Sequence, residues 1–255
     1  MSGWVVVARQ ESRDLWVGGR GPVLMFAYGV LLSAITYLAA TNRGLNFLER
    51  REAVNLALQV ALAVGVLATM VAGADAVSGE RERHTLETLL LTPVRRRDIA
   101  LGKLVSTLTL WAGCVVVSLP YLWVLGRSTA ATGQAVLLIA LVGSLVAAGL
   151  TGVALLVSTV SESNKSSLAV SLFVLLALLA PTQLPGMPKT WAGDLLTRVN
   201  PLASGMHYVS ALMLGRHTWT RDLSYLLSPA LTVLLTATIL TVAAERLVRL
   251  TRSTS

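Results

Sequence analysis

GPVLMFAYGVLLSAITYLAATN, residues 21–42, lies between Arg20 and Arg43 and carries no charged side chain. A helix rises about 1.5 Å per residue, and about 20 residues cross a hydrocarbon core of about 30 Å. These 22 residues are therefore long enough to span a bilayer. Comparable charge-free runs recur along the chain: 22 residues between Glu52 and Asp75, 23 between Lys103 and Arg127, 34 between Arg127 and Glu162, 23 between Lys165 and Lys189, and 22 between Asp222 and Glu245. Backbone in lipid must satisfy its own hydrogen bonds, so each run is read as a helix. The expected architecture is an all-α integral membrane protein, one membrane domain over residues 1–255. Its six transmembrane helices are predicted at about 22–41, 54–76, 104–126, 135–160, 167–187 and 224–244.

Composition agrees with lipid-facing helices. Charged residues make up 13% of the chain and hydrophobic ones 54%, against roughly 25% and 45–50% in soluble domains. Mean hydropathy is +0.68. The single cysteine, Cys114, excludes an internal disulfide and a thiolate cluster, and inside an apolar run it reads as a small buried hydrophobe. The first apolar run follows a stretch containing Arg9, Glu11, Arg13, Asp14 and Arg20, which argues against a cleaved signal peptide. WVVVARQESRDLWV, residues 4–17, reads as an amphipathic interfacial helix, with Trp4 and Trp16 at headgroup level. A seventh gap, 17 residues between Arg198 and Arg216, holds Asn200, Pro201, Ser204, His207 and Ser210. It is too short and polar to span, and is expected as an outer re-entrant or interfacial element at about 195–215.

With six spans both termini share a side. That side carries 13 of the 21 Lys and Arg and the other 8, so the positive-inside rule places both termini in the cytoplasm. Acids play little part in that rule, and subtracting them would leave the two sides equal. The net charge of +8 suits anionic lipid headgroups. No basic cluster is interleaved with aromatics on a soluble domain, so nucleic acid is rejected as a partner.

The most informative stretch is DAVSGERERHTLETLLLTPVRRRDIALGK, residues 75–103. Span two is expected to run out at about Asp75, with Ser78 and Gly79 breaking the pattern and a short charged helix following at about 79–91. At about 100° per residue, His84 and Glu87 fall within about 40° of Glu80, while Leu86, Leu89 and Leu90 occupy the opposite half. Glu82 lies at the edge of the leucine side. Pro93 stops this helix, and Thr92 is expected to cap the next one with Pro93 at its first position. On residues alone the segment is either a docking helix for a partner or a connector solvated on one face. Its length and the Arg95-Arg96-Arg97-Asp98 cluster favour docking.

GERERHTLETLLLTPVRRRDIALGK, residues 79–103, resembles the segment after the second span in the permeases of type-2 ABC exporters. That family commonly shows Gly-Glu-(Arg/Lys)-Glu, then Thr-Leu-Glu, a leucine run, Ser/Thr-Pro-Val and Gly-Lys. The matching residues here are Gly79, Glu80, Arg81, Glu82, Thr85, Leu86, Glu87, Leu89, Leu90, Thr92, Pro93, Val94, Gly102 and Lys103. His84 stands where Gly is frequent. The six-span layout, amphipathic N-terminus, long fifth-to-sixth loop and Asn200-Pro201 extend the likeness over nearly the whole chain. The resemblance implies a transmembrane permease subunit of an ABC exporter in the plasma (inner) membrane. It would pair with a second permease, identical or not, and with two copies of an ABC ATPase that binds the ATP and Mg. The 79–91 helix would be the coupling helix, with Glu80, Arg81, Glu82, Arg83, Thr85 and Glu87 meeting the ATPase.

Other constellations carry less. Gly102-Lys103 is no phosphate loop, because Arg97 stands where a Walker motif needs Gly and Leu104 where it needs Ser or Thr. ATP hydrolysis is thus expected in another chain, and this one is expected to be no enzyme and to hold no cofactor. Glu80, His84 and Glu87 share a face but lack further ligands, so no metal is expected. His207 and His217 read as interface contacts. No Asp, Glu, Lys or Arg sits at mid-depth in a span, against an ion-coupled carrier. Gln59, the most polar side chain clearly inside a span, is either an interhelical hydrogen-bonding group or part of a substrate pathway. Ala148 and Gly152 allow close helix approach, and Trp123, Trp191, Trp219 and Tyr225 read as aromatic anchors. The alternatives are a polytopic membrane enzyme, for which no paired intramembrane Asp or Gly-x-Ser-x-Gly is present, and an ATP-independent channel or carrier. An Ala, Leu, Ser and Thr-lined pore does not select a substrate.

Overall fold

The computed structural model of the protein describes residues 3–41, 47–83, 95–127, 131–183, 191–215 and 219–251. Every element among the described residues is helical: α1 Gly3–Val17, α2 Arg20–Thr41, α3 Phe47–Glu82, α4 Arg96–Gly126, α5 Thr132–Leu138, α6 Ser144–Val160, α7 Asn164–Gln183, α8 Trp191–Val199, α9 Pro201–Met213 and α10 Leu227–Thr251. A π-helical turn, Ile139–Gly143, joins α5 to α6, and a 3₁₀ turn, Leu223–Leu226, leads into α10. Six stretches are long and apolar enough to cross a membrane: Arg20–Leu38, Arg51–Glu82, Arg96–Gly126, Thr132–Val160, Asn164–Thr182 and Leu223–Val242. The chain is a multi-pass membrane protein.

Burial separates the bundle's centre from its lipid face. In the most apolar window of each span, 61% of α3 and 56% of the α5–α6 span are buried, against 22% of α2, 17% of α7 and 22% of α10. Phe26, Leu31 and Tyr37 of α2, Phe173 and Leu176 of α7, and Leu231, Leu234 and Leu235 of α10 are exposed. Small residues bring the central helices together, as expected where lipid supplies no hydrophobic drive between them. A Cβ on Gly149 would lie 3.1 Å from Thr232 Cγ2, and one on Gly152 would lie 2.6 Å from Thr236 Oγ1. Gly149 thus joins Gly152 on the close face of α6 against α10, three residues apart and on the same side of the helix.

Trp111 of α4 locks the centre. Its ring lies where a Cβ on Gly65 of α3 would come within 2.7 Å and one on Gly143 within 2.6 Å. Its indole N–H donates to Ser144 Oγ at 2.8 Å. The π-helical turn adds a residue there and presents Gly143 and Ser144 side by side to the ring. Gly65→Val is therefore expected to overpack this slot and cost about 1–3 kcal/mol. It should lower the melting temperature of the detergent-purified protein, whereas Gly133→Ala, which meets open space, should not. Equal melting of the two variants would refute the wedge.

Two expectations about helix ends are corrected. The helix of span two does not break at Ser78-Gly79, since α3 runs on to Glu82. Ser78 Oγ folds back to the Ala74 carbonyl at 2.7 Å, and Ser158 of α6 accepts from the Val77 and Ser78 N–H groups at 3.1 and 2.9 Å. Hydroxyls from the fold thus support a turn whose local sequence favours a break. The next described helix begins later than the sequence suggests, and Thr92 and Pro93 lie outside the described residues. Arg95 is the extended residue before α4, which begins at Arg96 with Asp98 in its first turn, where a negative charge suits the dipole. The rest of the expected 79–91 helix, with His84, Thr85, Glu87 and the leucine stripe, lies outside the described residues.

Candidate functional site

At 36 residues, α3 is about 54 Å long, far more than a bilayer core requires. Its last two turns meet α1, the start of α2, the start of α4 and the α6–α7 connection, forming a knot of charge at the α1 end of the bundle.

Lys103 is the knot's most buried member. Its side chain is 2% exposed, and its ammonium donates to Glu11 of α1 at 2.8 Å and Glu80 of α3 at 2.5 Å. Asp75 pairs with Arg20 of α2, receives Asn164 Nδ2 at 2.7 Å and lies 3.8 Å from Arg83. Arg81 donates to the carbonyls of Ser161 and, at 3.0 Å, Thr159. Glu82 Oε1 accepts from the Asn164 N–H at 2.8 Å, placing an acid at the positive end of α7. Ser158 and Ser167 both donate to the Ala74 carbonyl, at 2.6 and 2.8 Å. Charges this close to lipid are retained because nearly all of them are paired.

The structure thus brings Glu80, Arg81, Glu82 and Arg83 together, but Glu80 and Arg81 turn into this chain, not away from it. Glu82 and Arg83 are exposed. Thr85 and Glu87 lie outside the described residues. Sequence reading missed Asp75, Lys103 and Asn164 as their partners, and Glu11 as the second carboxylate on Lys103. A lysine opening an apolar span, directly after a glycine, is the signal that could have found the site. Among the described residues no group of three or more His, Cys, Asp and Glu is arranged to hold a metal; Glu80 is engaged by Lys103, and His84 is not described. Beside the knot lies a cleft of about 650 Å³, lined by Glu11, Asp14 and Leu15 on one side and by Ala72, Asp75 and Glu80 on the other.

At the far end, Asn200 is 6% exposed and caps α9. Its side-chain oxygen accepts from Leu202 N and Ala203 N at 3.0 Å each, its Nδ2 donates to the Leu178 carbonyl at 2.7 Å, and Pro201 begins the helix. The region expected at 195–215 is thus two helices, α8 and α9, and most of α9 is buried in the bundle. Its polar residues are satisfied there, Ser204 by the Tyr225 carbonyl and Ser210 by Gln59, whose amide donates at 2.5 Å. Gln59 makes an interhelical hydrogen bond from α3 to α9. His207 stacks on Tyr225 with ring centroids 4.4 Å apart; His217 lies outside the described residues. Tyr225 is no headgroup anchor, being 6% exposed and donating to Asp194 at 2.9 Å under the Arg198 guanidinium. Trp123, Trp191 and Trp219 are exposed. Trp16 is half-buried and bonded to Thr109 at 3.1 Å, leaving Trp4 as the more exposed of the two N-terminal tryptophans.

The hydrogen bond from Arg198, then that from Tyr225, holds the Asp194 carboxyl below the usual carboxylate range. A depressed folded-state pKa means that this clasp stabilises fully above the unfolded value and weakens as pH falls through the folded one. Lowering pH through the range below 4 should therefore reduce the melting temperature more in the wild type than in Asp194→Asn. Parallel losses in both would count against the clasp.

A search against curated proteins gives no match. The family model described as ABC-2 family transporter protein matches residues 23–253, from α2 to the end of α10 and across every residue of the knot except Glu11 and Arg20. The chain, with its six spans and its charged segment after the second, belongs to the ABC-2 family of transporters, as an ABC transporter permease.

Proposed function

We propose that this permease is the membrane half of an exporter, driven by a separate ATPase that docks on the segment around 79–91. One observation carries the reading. The first residues of that segment, 79–82, are the last turn of α3, a helix longer than the membrane that runs through the buried centre of the bundle. A force applied at residues 79–83 would act on that centre without passing through a flexible joint. ATP binding and hydrolysis in the partner would tilt α3 and its neighbours, giving a substrate site at a seam between two permeases alternating access. Glu80, Arg81, Glu82, Arg83, Thr85 and Glu87 belong to the docking segment. In this division of labour the exposed Glu82 and Arg83, with Thr85 and Glu87, meet the ATPase, while Glu80 and Arg81 fasten the segment to the bundle. Two ATPase copies and a second permease complete the assembly.

The test is copurification. The tagged chain, expressed with its neighbouring genes, should carry an ABC ATPase through size exclusion, and the isolated chain should hydrolyse no ATP. Robust hydrolysis by the homogeneous isolated chain would overturn the reading.

The α1 end faces the cytoplasm in this proposal, on the 13-to-8 distribution of Lys and Arg. Cys114 is buried, and a Cys114→Ser background removes it as a label site. In that background Thr220→Cys, exposed at the far end, should react with a membrane-impermeant maleimide in intact cells. Glu162→Cys, exposed beside the knot, should react only after permeabilisation. The reverse pattern would invert the topology.

A further inference from the structure

We propose that Lys103 is a positioning residue for transport: by holding Glu11 and Glu80 together, it makes α1, the end of α3 and the start of α4 move as one body. The inference rests on the permease reading above and adds how motion at the docking segment reaches the N-terminal helix.

The geometry begins at Gly102. A Cβ there would lie 2.6 Å from Val7 Cγ1 and 3.1 Å from Ala8 N, so α1 can seat on α4 only where α4 has no side chain. Val7 and Glu11 are one helical turn apart and share a face of α1. The seating that requires Gly102 therefore also brings Glu11 to Lys103, the next residue. The Ser106 and Thr107 hydroxyls both donate to the Lys103 carbonyl, at 2.9 and 3.0 Å, tying the turn from which the ammonium projects. Glu80 reaches the same ammonium from α3.

The charge needs a reason beyond stability. A buried lysine and two carboxylates give little net stabilisation over apolar side chains of like size, whereas in some proteins such groups specify one arrangement. Here that arrangement bridges a gap. Both α1 and α3 pack along α4, and Glu11 and Glu80 line the cleft between them. Apolar packing would join each helix to α4 separately; the ammonium joins all three.

The test uses the copurified complex and hydrogen exchange, with ADP and orthovanadate as the trapping probe. In the wild type, trapping should change exchange in residues 3–17 and 96–107 together. Lys103→Met should still assemble with the ATPase, its α1 amides exchanging about tenfold faster or more, and trapping should no longer alter them. The swap Lys103→Glu with Glu80→Lys keeps one ammonium and two carboxylates on the same helices, and should restore the response. If Lys103→Met does not accumulate, Glu11→Gln serves, with the same expected loss of response. A merely structural lysine would change basal exchange and leave the vanadate response of α1 intact, and that result overturns the proposal. So does a swap that folds but restores nothing. If no ATPase accompanies the wild-type chain, the permease–ATPase reading fails separately. The isolated chain then tests only the tie among the three helices: unchanged α1 exchange in Lys103→Met refutes it, and faster exchange restored by the swap shows the tie without its role in transport.

Discussion

Glu80→Arg is expected to reduce the amount of folded protein in membranes severely, before any question of docking arises. The helical register alone places Glu80 on a polar face turned to a partner, and from that position a charge reversal would be tolerated. The structure puts it elsewhere. Its side chain is 17% exposed, against a lysine side chain that is 2% exposed, on a helix that continues unbroken from the membrane span. Arginine at this position would remove one of two carboxylates from Lys103 and add a second cation beside it. Breaking a buried pair by losing one partner costs about 3–5 kcal/mol, a large share of a total stability of about 5–15 kcal/mol. Glu80→Gln keeps the size and a hydrogen-bond acceptor, and should lose less. The measurement is membrane level by immunoblot with melting by fluorescence-detected size exclusion. Wild-type level and melting for Glu80→Arg would mean that Glu80 does not hold Lys103 in the membrane.

The six spans are legible in the charge gaps because lipid excludes unpaired charge over a fixed thickness, a constraint each run of sequence obeys on its own. Their ends are less legible. α3 begins at Phe47 and ends at Glu82, well outside the 54–76 window, because water tolerates helix on either side of the core and Ser158 supports the turn at Ser78 from another helix. The two tight glycines of α6 are likewise visible only once Thr232 and Thr236 stand opposite them. At the site, residues 79–83 are recognisable as special, yet their directions are not. Glu80 pairs with a residue 23 positions on, and Lys103 with one 92 positions back. Periodicity within one helix carries no information about a cation arriving from a second and an acid arriving from a third. Tyr225 fails as an anchor for the same reason, since its place near a span end says nothing of Asp194 and His207 folding over it.

The remaining large effect concerns docking, and the structure narrows the residues that test it. Arg81 holds the α6–α7 connection through Thr159 and Ser161, so reversing it would damage this chain directly. Glu82 and Arg83 are exposed, Glu82 at the edge of the leucine side in the helical register, and Glu87 shares the polar face with His84 in that register. If that face enters a groove on the ATPase, a charge there is partly desolvated, and truncating one partner of such a pair costs roughly 2–5 kcal/mol. At about 1.4 kcal/mol per decade, that is a loss of roughly thirtyfold to several thousandfold in affinity. Glu87→Arg is accordingly expected to leave the membrane level near wild type while abolishing ATPase copurification. Glu82→Arg should weaken copurification with a modest loss of level, since it also gives up the Asn164 contact. Leu89→Asp supplies the contrast: a charge on the leucine stripe read from the sequence should lower the membrane level itself. The decisive readout is paired, protein in membranes against ATPase bound per permease. If Glu87→Arg and Glu82→Arg both recover the ATPase in wild-type ratio and with wild-type turnover, the segment docks nothing and is a connector between α3 and α4.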